Sequence, residues 1–288
     1  MKVAVLGASG GMGSFFVRYF LGKGETVRGS DSSRSRKELP AIGGRRMAWF
    51  ATNSEAVKGC DVTILAVPME STLKVAKEVV GKLKPGSTLV EISSVKGQTL
   101  PALRKLVGER ANLLSIHPLF GPALGSTAGM KMAVIAGKRG DGVAKVKRLF
   151  PEARVVPMSR KDHDRSMAVV LSLTHLLNVV YAGTVSKFLT PDEFMKVSTP
   201  NSSMQLTLAE AVLAQDARLS YAIQKGNDYS EKVGRAASRE LRRVLDMIES
   251  SDWEAFEEHF SRLSRRYRTG ERAGAVTREI YSAAEKAG

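Results

Sequence analysis

The chain has 288 residues, of which 43% are hydrophobic and 25% charged, values that are ordinary for a globular protein of two domains. No window holds about eighteen uninterrupted apolar residues, and the first residues continue into a strand and glycine pattern without a cleavage site, which favours a soluble, cytoplasmic protein. The single cysteine, Cys60, excludes an internal disulfide and a cysteine-based metal site, and we expect no bound metal.

The net charge of +15 is concentrated in the N-terminal half of the chain. Residues 1–150 hold 24 Lys and Arg against 10 Asp and Glu, whereas residues 151–288 hold 20 against 19. This distribution is compatible with attraction of anionic small molecules or nucleic acid, and equally with a solvated basic surface. Aromatic residues make up only 6% of the chain and are not interleaved with the basic ones, so we expect no nucleic-acid partner.

The first predicted elements form a strand, a glycine turn and a helix, which is the pattern of a dinucleotide-binding fold. In this pattern Gly7 permits the tight turn, Gly10 lets the backbone approach a pyrophosphate, and Gly13 lets the helix pack on the strand. Helix N–H groups would face the anion. The cofactor-binding residues predicted in this turn are Gly7, Ser9, Gly10, Gly11, Met12 and Gly13.

Asp31 ends the second predicted strand, where an acid is expected to bind the adenosine ribose. A carboxylate at this position repels a 2′-phosphate and favours NAD. Arg34 follows within a Ser- and Arg-containing segment that is suited to hold a 2′-phosphate, which leaves NADP possible. We predict NAD or NADP as the cofactor, with NAD slightly favoured.

Further strands are predicted at residues 61–67, 87–92, 112–116, 132–136 and 154–156, with a helix at residues 72–83 between the first two. Alternating strands and helices predict a doubly wound parallel sheet of the Rossmann type, an α/β fold. Ligands bind at the carboxyl ends of such strands, where Val67, Pro68, Ser94 and His117 lie. We therefore add Val67 and Pro68 to the cofactor-binding residues.

The pattern becomes almost entirely helical after Pro157. Helices are predicted from about residue 161 to 177, and at residues 204–213, 231–248, 252–267 and 275–284. We predict a dinucleotide-binding domain at residues 1–157 and an all-helical domain at residues 158–288.

Several short motifs together resemble the prephenate dehydrogenase family, in particular its archaeal-type, single-function members. The resemblance covers almost the whole chain, and the His-Pro-x-Phe-Gly-Pro element is its most specific part. The motifs are Gly-x-x-Gly-x-Met-Gly at residues 7–13, Ser94-Val95-Lys96-Gly97, His117-Pro118-Leu119-Phe120-Gly121-Pro122, the His163-Asp164 pair and His175.

The resemblance implies an NAD(P)-dependent oxidation of prephenate with loss of carbon dioxide, giving 4-hydroxyphenylpyruvate for tyrosine synthesis. It implies that His117 accepts the proton of the ring hydroxyl, which suits a neutral imidazole with an ordinary pKa of about 6.5. Ser94 would hydrogen-bond the same hydroxyl or orient the imidazole. The structural alternatives are a turn histidine and a serine that caps a helix.

The substrate-binding residues implied by the resemblance are His175, Arg272 and Lys96. His175 lies on a predicted helix in apolar surroundings, where a core histidine is equally expected. Some relatives carry an arginine near the positions of Tyr221 and Ala222, so we nominate Arg272, and after it Lys225 or Arg218, to bind a substrate carboxylate. This gap leaves prephenate and arogenate as alternative substrates.

The other two histidines are assigned no reaction: His163 is expected to order the junction between the domains, and His259 to lie on a helix surface. The C-terminal helices carry more apolar faces than one small bundle needs, and with the family resemblance this favours a homodimer through a dimerisation domain. The alternatives to prephenate dehydrogenase are an arogenate dehydrogenase, another β-hydroxyacid-type dehydrogenase, and a dinucleotide sensor without catalytic activity.

Overall fold

The computed structural model describes residues 1–32, 41–97, 99–122, 126–135, 137, 140–267, 274, 276–279 and 281. The chain divides into two compact units. The first unit comprises Met1–Met167 and Tyr221–Asp228, and the second comprises Ala168–Ser220 and Tyr229–Gly288. The division follows Met167, whereas the sequence predicts a boundary near Pro157, because the helix Arg160–Met167 still contacts the sheet of the first unit.

The first unit contains an eight-stranded sheet in the order β3-β2-β1-β4-β5-β6-β7-β8. The strands are β1 (Lys2–Leu6), β2 (Thr26–Ser30), β3 (Ala48–Trp49), β4 (Val62–Leu65), β5 (Thr88–Glu91), β6 (Asn112–Pro118), β7 (Lys131–Ile135) and β8 (Arg154–Met158). Strand β3 was not predicted, since only two residues form it at the edge of the sheet.

The sheet is parallel except where β6 pairs with β7. The described part of the connection between β6 and β7 contains no helix, so the chain returns antiparallel instead of crossing over. The predicted doubly wound, mainly parallel sheet is therefore confirmed, with one reversal that the strand and helix alternation did not indicate.

The helices of the first unit lie on both faces of the sheet. They are α1 (Gly11–Gly22), α2 (Asn53–Ala56), α3 (Thr72–Val79), α4 (Thr99–Val107), α5 (Gly142–Leu149) and α6 (Arg160–Met167), with 3₁₀ turns at Met69–Ser71 and Val80–Lys82. Along β1, Val3 and Val5 pack with the core that contains α1, whereas Ala4 and Leu6 pack with the core that contains α3. Because successive side chains of a strand alternate between faces and β1 is covered on both sides, all four of these positions are apolar.

The second unit is helical throughout its described part. It begins with a π-helical segment, Ala168–Leu173, and continues with α7 (Thr174–Val185), α8 (Pro191–Val197), α9 (Pro200–Leu213), α10 (Ala217–Gly226), α11 (Ser230–Glu249) and α12 (Trp253–Tyr267). The last six residues of α10 and the following Asn227 and Asp228 belong to the first unit. The helices predicted at residues 204–213, 231–248 and 252–267 are confirmed, and half of the predicted helix at residues 275–284 lies outside the described residues.

The expectation that His259 lies on a helix surface is wrong, since its side chain is buried. Its Nε2 is 2.9 Å from the Glu240 carboxylate, and its Nδ1 accepts a hydrogen bond of 2.7 Å from Arg262. Glu240 lies on α11, so packing of that helix on α12 covers the imidazole. The sequence around His259 does not show that α11 covers its side chain.

Candidate functional site

A cavity of about 540 Å³ opens at the carboxyl ends of β1, β2 and β4. Its lining contains six of the residues predicted to bind the cofactor: Gly7, Ser9, Gly10, Asp31, Val67 and Pro68. Parallel strands bring these positions together although they are up to sixty residues apart, because their carboxyl ends meet at one edge of the sheet.

The glycine turn between β1 and α1 has no room for side chains at two positions. Gly7 has a φ of +82°, and a Cβ there would lie 2.3 Å from the carbonyl oxygen of Ala66. A Cβ on Gly13 would lie 1.9 Å from the carbonyl oxygen of Gly7. Both glycines therefore allow α1 to begin against the end of β1. The free N–H groups of its first turn are then arranged as in sites that bind phosphate groups.

Asp31, directly after β2, connects that strand to the glycine turn. Its carboxylate accepts a hydrogen bond of 2.9 Å from the backbone N–H of Ser9. This bond places the carboxylate directly beside the glycine turn, where a ribose-binding acid is required. Next to it, the Ser30 hydroxyl donates to the side chain of Asn53, which in turn donates to the Glu78 carboxylate. The polar wall of the cavity is thus held by a continuous set of hydrogen bonds.

The remaining predicted cofactor residues lie at the start of α1, or outside the described part of the chain. Gly11 lies against the ring of Pro122, since a Cβ on Gly11 would be 2.9 Å from Pro122 Cγ. Met12 packs partly buried on the core that contains α1. Arg34 lies outside the described residues, so its contribution to cofactor choice stays a prediction.

His117 lies near the end of β6 and is 7% exposed. Its Nδ1 is 3.1 Å from Nε2 of His163, whose Nδ1 is 2.9 Å from the Asp164 carboxylate. The same oxygen of Asp164 accepts the backbone N–H of Lys96 at 3.0 Å. Asn227, at the C-terminal end of α10, donates to the backbone carbonyl of Asp164 at 2.7 Å.

This chain of hydrogen bonds determines where the protons of the two histidines lie. The Asp164 carboxylate can only accept, so a neutral His163 carries its proton on Nδ1 and presents Nε2 as an acceptor. His117 must then donate from Nδ1, and its own Nε2 is unprotonated. The arrangement leaves His117 with a lone pair that is suited to accept a proton.

The electrostatic surroundings also favour the neutral form of His117. Burial lowers the pKa of its imidazole well below the ordinary value of 6.5, and the positive charge of Lys96, together with that of His163 once His163 is protonated, lowers it further. A histidine with such a pKa is unprotonated throughout the neutral range and is available as a base.

Sequence reasoning missed the contact of His163 with His117, since the two residues are 46 positions apart. The signal that was available is the position of His163 in the first turn of a helix that follows the last strand of the same sheet. No local signal pointed to Asn227, which belongs to the helix-rich C-terminal half of the sequence.

Lys96, which was predicted to bind substrate, has a completely buried side chain. Its ammonium group donates to the Glu91 carboxylate at 2.6 Å and to the backbone carbonyl of Ile116 at 2.7 Å. These contacts engage the amine with the protein itself. Ser94, two residues earlier in the loop that follows β5, is half-buried.

The other predicted substrate residues are distributed over both units. His175 lies on α7 of the second unit, is 6% exposed, and has Nδ1 at 3.4 Å from the Ser220 hydroxyl. Burial lowers the pKa of His175. Arg218 and Lys225 are exposed on α10, and Arg272 lies outside the described residues. Among the described residues, no group of three His, Cys, Asp or Glu side chains is arranged to hold a metal ion.

Two relatives and one solved structure illustrate what the chain is similar to. A probable arogenate/prephenate dehydrogenase of Methanocaldococcus jannaschii is 24% identical over 284 residues, which are 96% of this chain and 63% of the relative. The chain thus spans less than two thirds of that relative. A 4-amino-4-deoxyprephenate dehydrogenase of Streptomyces pristinaespiralis is 24% identical over 91% of this chain and 90% of its own length.

The fold is shared with prephenate dehydrogenase of A. aeolicus, whose crystal structure contains hydroxyphenyl propionate and NAD+. The TM-score is 0.74 at 19% identity, with 93% of this chain and 97% of the other covered. Residues 21–135 match the family profile described as the nucleotide-binding domain of prephenate dehydrogenase, and residues 159–262 match its dimerization domain. Because the two matches follow one another over most of the chain, the protein belongs to the prephenate dehydrogenase family.

Proposed function

We propose that the protein is an NAD-dependent dehydrogenase that oxidises prephenate with loss of carbon dioxide, and that it acts in the cytoplasm. The observation that carries this proposal is the buried His117, whose neutral imidazole is held by His163 and Asp164. His117 lies on a strand of the same sheet whose strands β1, β2 and β4 end at the cavity beside the glycine turn. Membership of the family supports the assignment.

The proposed reaction converts prephenate and NAD+ into 4-hydroxyphenylpyruvate, carbon dioxide and NADH. When bound, the nicotinamide accepts the hydride that leaves the ring carbon bearing the hydroxyl group. His117 takes the hydroxyl proton on Nε2, and the carbon–carboxylate bond breaks as its electrons restore the aromatic ring. The phenolate oxygen that results takes up a proton to give 4-hydroxyphenylpyruvate. The contact of His117 with His163 holds the His117 imidazole in one orientation while that imidazole becomes positively charged.

The cavity beside the glycine turn fits the dinucleotide. Gly7, Gly10 and Gly13 let a pyrophosphate approach the open first turn of α1, and Asp31 would accept hydrogen bonds from the adenosine ribose. Val67 and Pro68 would line the adenosine side. We propose NAD as the preferred cofactor because the Asp31 carboxylate is held beside the turn and would repel a 2′-phosphate.

Replacement of Asp31 by alanine is expected to lower the preference for NAD over NADP by about tenfold or more, because both ribose hydrogen bonds and the repulsion of a 2′-phosphate are lost. Steady-state kinetics with each cofactor measure the ratio of the two kcat/KM values. Glu25→Ala is a control, since that carboxylate pairs with the N-terminal amine. An unchanged ratio in Asp31→Ala would contradict contact of this residue with the ribose.

On the substrate side, we propose that His175 and Arg272 bind substrate carboxylates and that Ser94 hydrogen-bonds the ring hydroxyl. Arogenate is the second candidate substrate, because Tyr221 and Ala222 offer no positive charge at the positions where some relatives carry an arginine. The name of the M. jannaschii relative includes both substrates.

Formation of reduced nicotinamide, followed by its near-ultraviolet absorbance, tests the proposed function. The purified protein is mixed with prephenate or arogenate and with NAD or NADP. Turnover of prephenate with NAD is the expected result, and turnover of arogenate alone would replace the substrate assignment. If none of the four pairings reacts, the protein is not this dehydrogenase, and cofactor binding without turnover would favour a dinucleotide sensor.

We also propose that the protein forms a homodimer through its helical unit, which matches a dimerization domain. By length and composition alone, the helical stretch Arg160–Val185 is apolar enough to cross a membrane. Only 22% of its most apolar 18-residue segment is buried within the chain, so most of this apolar segment is exposed. Exposed side chains of this surface include Val170, Leu177 and Val180, and α11 adds Leu241 and Ile248. An interface with a second copy would remove this apolar surface from water.

Sedimentation equilibrium is expected to give about twice the chain mass of 31.2 kDa. Replacement of Val180 by glutamate would place a charge on the apolar surface and is expected to shift the equilibrium towards monomer. Lys147→Glu, on the exposed side of α5, is the control. A parental protein that stays monomeric at micromolar concentration would rule out the dimer.

A further inference from the structure

A buried ion pair contacts the strand that carries the proton acceptor. The side chains of Lys96 and Glu91 are 0% and 1% exposed, and their charged atoms are 2.6 Å apart. Lysine and glutamate are rarely buried to this extent, because removal of each charge from water is costly. Apolar residues of similar size could fill the same space, so stability alone does not account for the pair.

The contacts of Lys96 connect the elements that hold His117. Its ammonium group donates to the carbonyl of Ile116, the residue that precedes His117 in β6. Its backbone N–H donates to Asp164, the carboxylate that orients His163. Glu91 accepts hydrogen bonds from the Ser115 hydroxyl and from the backbone N–H of Ser93. Lys96 is therefore bonded both to β6, which carries His117, and to the Asp164 carboxylate, which orients His163.

We propose that the Lys96–Glu91 pair positions His117: it holds the backbone of the proton acceptor in place and keeps a fixed positive charge near its imidazole, so that the base remains unprotonated. This role replaces the predicted binding of substrate by Lys96. It rests on the proposed function insofar as His117 is the proton acceptor, but the positioning itself can be measured without turnover.

The charged and titratable groups around His117 act in a consistent direction. Lys96 approaches from the loop after β5, and His163 approaches from α6; both lower the pKa of the His117 imidazole, which burial already depresses. The two nearby carboxylates, Glu91 and Asp164, are bonded to Lys96 and His163 respectively. Because like charges disfavour one another at short range, a protonated His117 would be opposed by the ammonium group.

Nuclear magnetic resonance titration of the imidazole measures this effect directly. The His117 signal is assigned by its loss in His117→Asn, and its midpoint is compared between the parental protein and the double variant Lys96→Met/Glu91→Gln. We expect the midpoint to rise by about one pH unit in the double variant, because the positive charge is removed. The acid limb of kcat/KM is expected to move in the same direction, with a larger fall in kcat than rise in KM.

The double variant is chosen because Lys96→Met alone leaves a buried unpaired carboxylate and can fail to fold. A surface pair, Lys84 and Asp61, provides the control: Lys84→Met/Asp61→Asn should leave the His117 midpoint unchanged. A folded double variant with the parental midpoint would overturn the positioning role. So would a parental midpoint at or above 6.5, a result that requires no variant. Absence of turnover in the parental protein would overturn the proposed function and leave the titration to decide this inference.

Discussion

Replacement of His117 by asparagine is expected to lower kcat by about 10²- to 10⁴-fold, the usual contribution of a positioned general base. Asparagine has a similar size and can still donate a hydrogen bond to Nε2 of His163, but its amide cannot accept the hydroxyl proton at neutral pH. Cofactor affinity is expected to change little, because the cavity beside the glycine turn does not include His117.

The pH dependence gives this prediction a second readout. Unprotonated His117 is the active form, so parental kcat/KM should be retained at pH 6.5 and fall only as the pH drops through the lowered pKa of this residue. In His117→Asn, the acid limb that this residue causes should disappear from the residual activity. Parental turnover in the variant, measured at saturating prephenate and NAD, would remove His117 from the proposed role.

Replacement of Gly13 by alanine is expected to weaken NAD binding by at least about tenfold and to destabilise the protein by about 1–3 kcal/mol, the usual cost of overpacking. The new Cβ would lie 1.9 Å from the carbonyl oxygen of Gly7 and 2.8 Å from its carbonyl carbon. Both contacts are with backbone, which cannot rotate away, so α1 must shift from the end of β1. That shift displaces the N–H groups proposed to face the pyrophosphate.

Gly22→Ala is the matched control, since it lies on the same helix and its new Cβ would meet only Ile42 Cγ2 at 4.0 Å. Alanine is the better helix former, so this variant should keep or slightly raise the melting temperature. Isothermal titration with NAD and thermal unfolding measure the two effects. Equal behaviour of Gly13→Ala and Gly22→Ala would contradict the close approach of α1 to the glycine turn.

Much of the first unit could be predicted from short stretches of sequence, because its determinants are local. Strand β1 is covered on both faces, so Val3–Leu6 appears as a continuous apolar run before the glycine turn. The glycine turn is likewise local, since Gly7 and Gly13 meet within a few residues of one another. Parallel strands then bring the turns that follow them to one edge, which is why the predicted cofactor residues meet in one cavity.

The network around His117 depended on the tertiary structure. His163 and Asn227 reach this site from distant parts of the sequence, and apart from the position of His163 in the first turn of α6 no local feature indicates their partners. Lys96 matches a motif, and the motif led to a substrate role; only the packing of β5, β6 and α6 shows that its amine is enclosed. Burial decides the charge and proton position of such groups, because it removes water and leaves the few neighbouring charges unscreened. Which groups become buried together is a property of long-range packing, and residue type and spacing along the chain do not contain it.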